Sequence, residues 1–282
     1  MAIILDGKAV AARIQGEVAT AAAALRAERG VVPTLAVVLV GEDPASKIYV
    51  RRKTQACREA GIEARDHLFP EGISESALLA LVRELNGARD VHGILVQLPL
   101  PKDINEARVL DAIDPAKDVD GFHPENLGRL FIGQPLVVPG TPAGVMAILE
   151  HYGIGLRGRL ATVVGRSRIV GKPVAQLLLA EDATVIMAHS KTPDLAAVTR
   201  QADVLVVATG RAHLVGAAHV KPGATVIDVG VNRLPDGKLA GDVDFAAVSP
   251  IASAITPVPG GVGPTTVAML MRNTLRACRR LM

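Results

Sequence analysis

The chain has 282 residues, enough for two domains of ordinary size, each with its own hydrophobic core. Hydrophobic residues make up 49% of the sequence and charged residues 21%, which excludes an intrinsically disordered chain. Aromatic residues account for only 2%, and the net charge is +3 without a run of Lys and Arg. A nucleic-acid-binding protein is therefore not expected, because stacking platforms and a cationic stripe are both missing from the sequence.

The two cysteines, Cys57 and Cys278, lie far apart, and no Cys/His spacing is typical of a zinc site. We therefore expect buried free thiols and no bound metal. The N-terminus reaches charged residues after five positions and has no long apolar segment, so we expect no secretory signal. No apolar run approaches the roughly 20 residues of a membrane helix, and we expect a soluble cytoplasmic protein.

The first part of the chain alternates between short apolar runs, which predict strands, and segments with helical periodicity. Ser46 and Ser74 are expected to cap helices, and Gly30 and Gly61 to follow the ends of helices. This order predicts a parallel α/β layer. The predicted strands are 3–5, 35–40 and 62–69, with a further strand and its exit over 91–99, and the predicted helices are 8–29, 46–60 and 74–87.

One face of the helix after the second strand carries a lysine among small and apolar residues. Tyr49, Lys53, Ala56, Cys57 and Ala60 have the spacing of a core-facing stripe at 3.6 residues per turn. A lysine on such a face costs free energy unless it has a task or a partner. A lysine whose stem packs while its ammonium reaches water is the simpler interpretation, and the helix alone does not decide between the two.

Polar residues follow the apolar strand that ends at Val96. Because ligands of open α/β sheets collect at the carboxyl ends of strands, Gln97 is expected to approach the same crevice as Lys53. The alternative is that Gln97 only satisfies the loop backbone. The segment Asp114–Pro124 predicts an ordered connection whose carboxylates either face a ligand or form a turn, without the pattern of a Ca²⁺ loop. We place a domain boundary near residue 121.

A second strand–helix series begins near residue 160 and is typical of a nucleotide-binding α/β domain. The turn Gly165–Pro173 joins a strand to a helix, although Ser167 replaces the middle glycine of the usual dinucleotide-binding pattern. The next strand ends at His189 and Ser190 instead of the acidic residue that binds the ribose of NAD. With Arg166 in the first turn, these side chains favour the 2′-phosphate of NADP, unless Arg166 and Ser190 are ordinary loop residues. The predicted strands are 160–164, 184–188, 202–208 and 225–229.

The segment Ile255–Thr266 contains three glycines and three prolines. Few side chains stand in the way of such a loop, so it can lie close against a flat ligand; a tight turn without a ligand is the alternative. Thr265 or Thr266 is expected to cap a helix that runs to the C-terminus.

Considered jointly, five segments closely resemble the family of bifunctional methylenetetrahydrofolate dehydrogenases and methenyltetrahydrofolate cyclohydrolases. The resemblance runs through the whole chain in order, which is far more specific than any single motif. It implies NADP-dependent oxidation of methylenetetrahydrofolate and hydrolysis of the methenyl product to formyltetrahydrofolate. It also implies tetrahydrofolate derivatives as ligands and a homodimer formed through the nucleotide domain. The segments are Tyr49–Lys53, Gly93–Pro101, Lys117–Pro124, Val164–Pro173 and Pro257–Pro264.

The resemblance implies two α/β domains with parallel sheets and a cleft between them. A folate-binding catalytic domain is expected over residues 1–121, with the C-terminal helix of about residues 266–282 packed back on it, and a Rossmann-like NADP-binding domain over residues 122–282. The implied folate-site residues are Tyr49, Lys53, Gln97 and Asp120, with Val96, Leu98, Pro259, Gly260, Gly261, Val262 and Gly263 lining the site. The implied cofactor contacts are Gly165, Arg166, Ser167, Ser190 and Val231.

The chemistry of the two steps fits these residue types. Oxidation releases a hydride and needs positioning more than a general base. Hydrolysis needs proton transfers, and Lys53 is the candidate because burial and a cationic substrate both lower its pKa. Gln97 is expected to hold the amine, Tyr49 to pack against the flat substrate, and Asp120 to accept hydrogen bonds from the pterin.

Two other functions remain open at this point. An NADP-dependent dehydrogenase of another small substrate would need an acid or base poised for an alkoxide, and a substrate screen separates it from a folate enzyme. A nucleotide-sensing binding module would bind NADP without turnover and leaves the position of Lys53 unexplained.

Overall fold

The computed structural model describes residues 2–282, apart from the side chain of residue 45. Parallel sheets covered by helices form the fold, as the alternating apolar and amphipathic segments predict. The strands are β1 (Ile3–Ile4), β2 (Thr34–Val40), β3 (Glu63–Phe69), β4 (Gly93–Val96), β5 (Leu160–Val164), β6 (Thr184–Ala188), β7 (Val204–Val207), β8 (Thr225–Asp228), β9 (Asn232–Arg233), β10 (Leu239–Ala240) and β11 (Ala254–Ile255). The helices are α1 (Gly7–Arg29), α2 (Pro44–Glu59), α3 (Glu75–Gly87), α4 (Glu106–Asp111), α5 (Pro124–Phe131), α6 (Gly140–His151), α7 (Gly171–Ala180), α8 (Leu195–Thr199), α9 (Phe245–Val248) and α10 (Val262–Leu281).

The chain divides into two compact units. The first unit consists of Arg13–Val138 and Val267–Met282, and the second of Met1–Ala12 and Pro139–Thr266. In this division the second unit resumes at Pro139, whereas the sequence predicts a domain boundary near residue 121. Hydrogen bonds explain why the segment after residue 121 stays with the first unit, because they tie the start of α5 to the loop before it. The amide of Asn126 donates to the carboxylate of Asp118 and to the carbonyl of Pro115, both at 2.9 Å.

The first unit is organised around β2, which lies between β3 and β4 in a three-stranded parallel sheet. All seven residues of β2 are buried, as expected for a central parallel strand with helices on both faces. The core on one face of this sheet joins β2 to α3 and β4. Its members include Ala36, Val38, Leu78, Val82 and Val96.

The second unit contains a six-stranded parallel sheet with the order β1-β11-β8-β7-β5-β6. The four residues of β7 are fully buried near the middle of the sheet. The strand β1 pairs with β11 and so belongs to this unit, a position that sequence patterns did not predict. An antiparallel hairpin, β9–β10, follows β8. Three of the strand exits, those of β5, β6 and β7, lie side by side because the strands are neighbours and parallel.

Several helix starts differ from the predicted ones. The helix α2 begins at Pro44 with Asp43 as its cap, whose carboxylate accepts the N–H of Ser46 at 2.7 Å, so the prediction of Ser46 as the cap was wrong. Proline is favoured at this first helical position because it has no N–H to leave unpaired. The helix α10 begins at Val262, and Thr265 lies inside it, where its hydroxyl donates to the carbonyl of Val262 at 2.7 Å. The cap predicted at Ser74 is confirmed.

No helix in the described part of the chain is long and apolar enough to cross a membrane. Within residues 2–282, three or more His, Cys, Asp and Glu side chains nowhere form a group that could hold a metal ion. Cys57 and Cys278 are both buried free thiols, as their sequence context predicts.

Candidate active site

Lys53 lies on the buried face of α2, in the first unit. Its relative exposure is only 6%, and Cys57 and Ala60 on the same face are 0% and 4% exposed. The neighbouring Arg51 and Arg52 are exposed, so the helix separates its one buried cation from its solvated ones. The helical stripe predicted from the sequence is therefore present. A lysine this deeply buried is not the snorkelling residue of the simpler interpretation.

Two side chains hold the ammonium group of Lys53. Its Nζ donates to Oε1 of Gln97 at 3.2 Å and lies 4.4 Å from the ring centroid of Tyr49, one helical turn away. Gln97 is itself fixed, because its Nε2 donates to the carbonyl of Leu98 at 2.6 Å and its backbone N–H donates to the carbonyl of Val38 at 2.9 Å. Both interpretations of Gln97 are correct: its amide satisfies the loop backbone and presents its oxygen to the lysine.

The loop that carries Asp120 is held on both sides of that residue. The buried carboxylate of Asp118 accepts the backbone N–H groups of Gly121 at 3.0 Å and His123 at 2.8 Å. The buried ammonium of Lys117 donates to three carbonyls at the end of α3, at 2.7–3.0 Å. Those carbonyls belong to Leu85, Asn86 and Ala88. The segment predicted as an ordered connection is thus a rigid loop, and Asp118 and Lys117 serve its backbone while Asp120 is left for other contacts.

The charges of Lys53, Tyr49 and Asp120 are coupled. Burial lowers the pKa of the Lys53 ammonium, while the negative charge of Asp120 opposes that shift. Burial raises the pKa of Asp120 to about 6, and the positive charge of Lys53 opposes this shift in turn. Burial, reinforced by Asp120, raises the pKa of Tyr49 to about 12, so its hydroxyl stays protonated at neutral pH. The group can therefore offer an amine that exchanges a proton, a phenol donor and a carboxylate acceptor.

Two predicted lining residues of the first unit sit beside the Gln97 amide. Val96 is 2% exposed and belongs to the hydrophobic core, so its side chain supports the strand rather than the surface of a pocket. Leu98 is partly buried and packs against the same core. Gln97 is the polar residue between them, at the point where β4 ends.

The other predicted lining residues, Pro259–Gly263, belong to the second unit. Gly260 has a φ of +106°, which favours glycine over any other residue. A Cβ at Gly7 would lie 1.7 Å from the carbonyl oxygen of Gly261, so the loop packs directly against the start of α1. Val262 and Gly263 form the first turn of α10 and are not part of the loop, contrary to the sequence-based expectation. Their position at a helix start leaves the first N–H groups of α10 without helical partners.

A groove of about 380 Å³ lies at the carboxyl ends of β5, β6 and β7 in the second unit. It brings together four of the predicted cofactor contacts, which are Gly165, Arg166, Ser167 and Ser190. Val231 is not among the residues that line it, although its side chain is 60% exposed just beyond β8. Thr192, Thr209 and Arg211 also line the groove and were not assigned to the cofactor from the sequence. The sequence did contain a signal for Thr209 and Arg211, because both follow a predicted strand and ligands collect at strand exits.

The turn after β5 packs closely against the exit of β7. Gly165 has a φ of +122°, and a Cβ there would lie 2.1 Å from the carbonyl oxygen of Ala208. The hydroxyl of Ser167 accepts the N–H groups of Val170 and Gly171, each at 3.2 Å, and so caps the start of α7. Arg166 is exposed and makes no ion pair within residues 2–282. A free guanidinium at the mouth of the groove fits a phosphate group.

A further groove, of about 580 Å³, lies on the other flank of α2, between that helix and β3. Val50, Arg51 and Leu68 are among the residues that line it. It contains none of the predicted site residues, and the two of them that belong to α2, Tyr49 and Lys53, lie on another face of the helix. Its size alone assigns no function to it.

Two sequence profiles of one family match the chain. Tetrahydrofolate dehydrogenase/cyclohydrolase, catalytic domain, matches residues 5–120, and tetrahydrofolate dehydrogenase/cyclohydrolase, NAD(P)-binding domain, matches residues 139–282. The chain is 58% identical over 278 residues to the Bifunctional protein FolD of Geobacillus thermodenitrificans, which covers 99% of this chain and 98% of the relative.

Solved structures agree with this match. The crystal structure of the bifunctional enzyme FolD, methylenetetrahydrofolate dehydrogenase/cyclohydrolase, from Campylobacter jejuni has a TM-score of 0.98 and 48% identity and covers 100% of both chains. The Trypanosoma brucei methylenetetrahydrofolate dehydrogenase-cyclohydrolase, complexed with NADP cofactor and inhibitor, has a TM-score of 0.94 and 41% identity and covers 99% of this chain and 98% of that one. The chain belongs to the tetrahydrofolate dehydrogenase/cyclohydrolase family.

Proposed function

We propose that this protein is a bifunctional enzyme of folate one-carbon metabolism. It oxidises methylenetetrahydrofolate to methenyltetrahydrofolate with NADP and then hydrolyses the product to formyltetrahydrofolate. Membership of the family supports both activities. The observation that carries the proposal within this chain is the buried amine of Lys53, held between the ring of Tyr49 and the amide of Gln97.

The oxidation depends on positioning. The bond that breaks joins a hydride to the methylene carbon between two folate nitrogens, and the nitrogens stabilise the resulting cation. NADP, when bound, supplies the acceptor for that hydride. No proton has to leave in this step, so no general base is required, and the protein contributes by fixing the substrate against rotation and displacement. This assigns Tyr49 and Asp120 to holding the folate, the ring by stacking and the carboxylate by accepting pterin N–H groups.

The hydrolysis requires proton transfer, and we assign it to Lys53. As the oxygen of water bonds to the methenyl carbon, one proton leaves that water for the neutral amine. As the bond between that carbon and one ring nitrogen breaks, a proton is transferred to the nitrogen. The overall hydrolysis releases one proton. Burial lowers the pKa of Lys53, which makes its neutral form accessible. The hydrogen bond to Gln97 orients the amine for both transfers.

We assign the groove beside β5, β6 and β7 to NADP. Arg166 and Ser190 line it and would hold the 2′-phosphate by a charge-assisted and a hydroxyl hydrogen bond. Gly165 keeps the turn after β5 close to the exit of β7, since a side chain there would collide with Ala208. Thr209 and Arg211 line the same groove. Val231 and the segment Pro259–Gly263 remain proposed ligand contacts.

The activity assay tests this proposal with the purified chain, methylenetetrahydrofolate and NADP. Reduced cofactor should accumulate first, and absorbance of the methenyl compound should then decay. Absence of NADP reduction with this substrate would overturn the proposal. A dehydrogenase acting on another small substrate is not favoured, because the family profiles cover both units.

We further propose a homodimer formed through the second unit. The strand β6 is an edge strand of its sheet, and Met187 on it is 37% exposed, so a second copy could cover it. Light scattering should give twice the chain mass, and Met187→Glu should lower the measured mass.

We also propose a cytoplasmic location, since the two free thiols are typical of a reducing compartment, and cell fractionation tests this location.

A further inference from the structure

Asp242 is a fully buried carboxylate that follows the β9–β10 hairpin by two residues in the second unit. Its Oδ2 accepts the N–H of Thr209 at 2.5 Å, the hydroxyl of Thr209 at 2.9 Å and the N–H of Gly210 at 3.0 Å. Its Oδ1 accepts the N–H of Arg211 and the amide of Asn232, both at 2.9 Å. Five donors therefore converge on one side chain, and four of them are N–H groups, which cannot accept a hydrogen bond. An ionised carboxylate is the group that matches this arrangement.

Three of these donors are successive backbone N–H groups, those of Thr209, Gly210 and Arg211. Such a run of N–H groups forms a concave nest that commonly binds an anion. Gly210 has a φ of +66°, the left-handed conformation that bends the backbone around the anion. In this protein the anion is the protein's own Asp242. These three N–H groups of the loop after β7 therefore already bind the carboxylate of Asp242 and are not available to a phosphate.

A second carboxylate supports the first. Asp228, the last residue of β8, accepts the N–H groups of Gly230, Asp242 and Val243 at 2.9–3.0 Å. A Cβ at Gly230 would lie 2.2 Å from the carboxylate of Asp242. The two aspartates thus tie the exits of β7 and β8 to the hairpin, with no space left for a side chain at this glycine.

The loop that Asp242 holds is a wall of the cofactor groove. Thr209 and Arg211 both line the groove, whereas Asp242 lies behind them and is not among the lining residues. Arg211 is exposed and makes no ion pair among residues 2–282. Arg211 and Thr209 can contact a bound ligand only if the backbone that carries them keeps its present conformation.

We propose that Asp242 is a positioning residue for the dinucleotide, acting through the backbone of Thr209–Arg211. This inference rests on the proposed use of NADP in that groove. It adds that cofactor affinity is set by a buried carboxylate that does not touch the cofactor. Chemistry at the folate site does not depend on it.

The test compares Asp242→Asn with the wild-type chain. Asparagine has nearly the same shape, but its NH₂ group faces N–H donors that it cannot bind, so the loop must shift. The dissociation constant of NADPH, measured by cofactor fluorescence, should rise at least tenfold or about 1.4 kcal/mol, and the KM for NADP should rise with little change in kcat. Hydrolysis of supplied methenyltetrahydrofolate, which consumes no NADP, should keep the wild-type rate.

Asp244→Asn is the matched control. Asp244 lies two residues away and caps α9 by accepting the N–H of Ala247 at 3.1 Å, a contact outside the groove that the side-chain oxygen of asparagine can also make. The same removal of a carboxylate charge at this position should therefore leave the affinity for NADPH within about twofold of wild type. A wild-type dissociation constant in folded Asp242→Asn would overturn the inference.

Asn232→Ala decides the matter if Asp242→Asn does not fold. It removes one of the five donors from a partly buried position that does not line the groove. A rise of roughly threefold in the NADPH dissociation constant supports the inference, and an unchanged value contradicts it. Failure of the wild-type chain to bind NADPH would instead refute the proposed function, so the two failures are distinguishable.

Discussion

The ammonium of Lys53 donates to the side-chain oxygen of Gln97 across 3.2 Å, joining the buried face of α2 to the exit of β4. The two residues are 44 positions apart in sequence, and the parallel pairing of β2 with β4 brings their elements together. Gln97 cannot exchange a proton at neutral pH, so it fixes the amine without competing for its proton. In the proposed hydrolysis, Gln97 therefore orients the amine and Lys53 transfers the proton.

Arg166→Ala should weaken NADP much more than NAD. The guanidinium at the mouth of the groove is free to bind the 2′-phosphate, which only NADP carries. A charge-assisted contact of roughly 1.5–3 kcal/mol predicts a loss of about tenfold to a hundredfold in affinity for NADP. The ratio of the KM for NADP to the KM for NAD, measured on the same preparation, should therefore rise in the variant.

The control for this change is Arg168→Ala, because Arg168 is exposed in the same turn but does not line the groove. It should leave the ratio close to wild type. Equal effects of Arg166→Ala on both cofactors would exclude a role in 2′-phosphate recognition.

Asp120→Asn should move the pH dependence of the cyclohydrolase step to lower pH. The negative charge of Asp120 raises the pKa of Lys53, so its removal lets that pKa fall further. The neutral amine, and with it the rising limb of the pH–rate profile, then appears at lower pH. Asp66→Asn serves as the control, since Asp66 pairs with Arg58 and does not act on Lys53. A limb that stays in place or moves to higher pH would refute the coupling.

Asn273→Ala should destabilise the protein by about 2 kcal/mol or more, because its amide donates to two carbonyls that would lose a partner. These are the carbonyls of Val119 and Val138, both at 2.9 Å, and the first of them precedes Asp120. Urea denaturation of the full chain measures the loss. Arg279→Ala, an exposed position on the same helix, should change stability by less than about 0.5 kcal/mol. Equal stability of the two variants would contradict this account of the loop.

Much of the fold could be predicted from the sequence because apolar runs and turn residues report on local structure. The strands β2, β5 and β6 are predicted almost to the residue. The short helices α4 and α5 were missed, since they lie in segments rich in proline and aspartate that are typical of loops. The pairing of β1 with β11 was missed as well, because it joins residues about 250 positions apart and leaves no local pattern.

The candidate site shows a similar division. The spacing of Lys53 on its helix and the position of Gln97 after a strand predicted their approach, which the hydrogen bond confirms. The role of Asp118 could not be predicted. Asp118 and Asp120 are identical side chains in one loop, and only the folded backbone brings N–H groups to the carboxylate of Asp118. Likewise, Ser167 binds backbone N–H groups of its own turn, a contact that depends on the exact course of that turn.

The assignment of proton transfer to Lys53 is the central claim, and Lys53→Met tests it most directly. Methionine keeps the length and apolar packing of the buried stem but cannot exchange a proton. Lys47→Met on the exposed face of α2 is the control and should retain both activities. With methylenetetrahydrofolate and NADP, folded Lys53→Met should still reduce the cofactor at a measurable rate, while the methenyl product accumulates because its hydrolysis has stopped. Equal loss of both activities, or continued hydrolysis, would contradict the account.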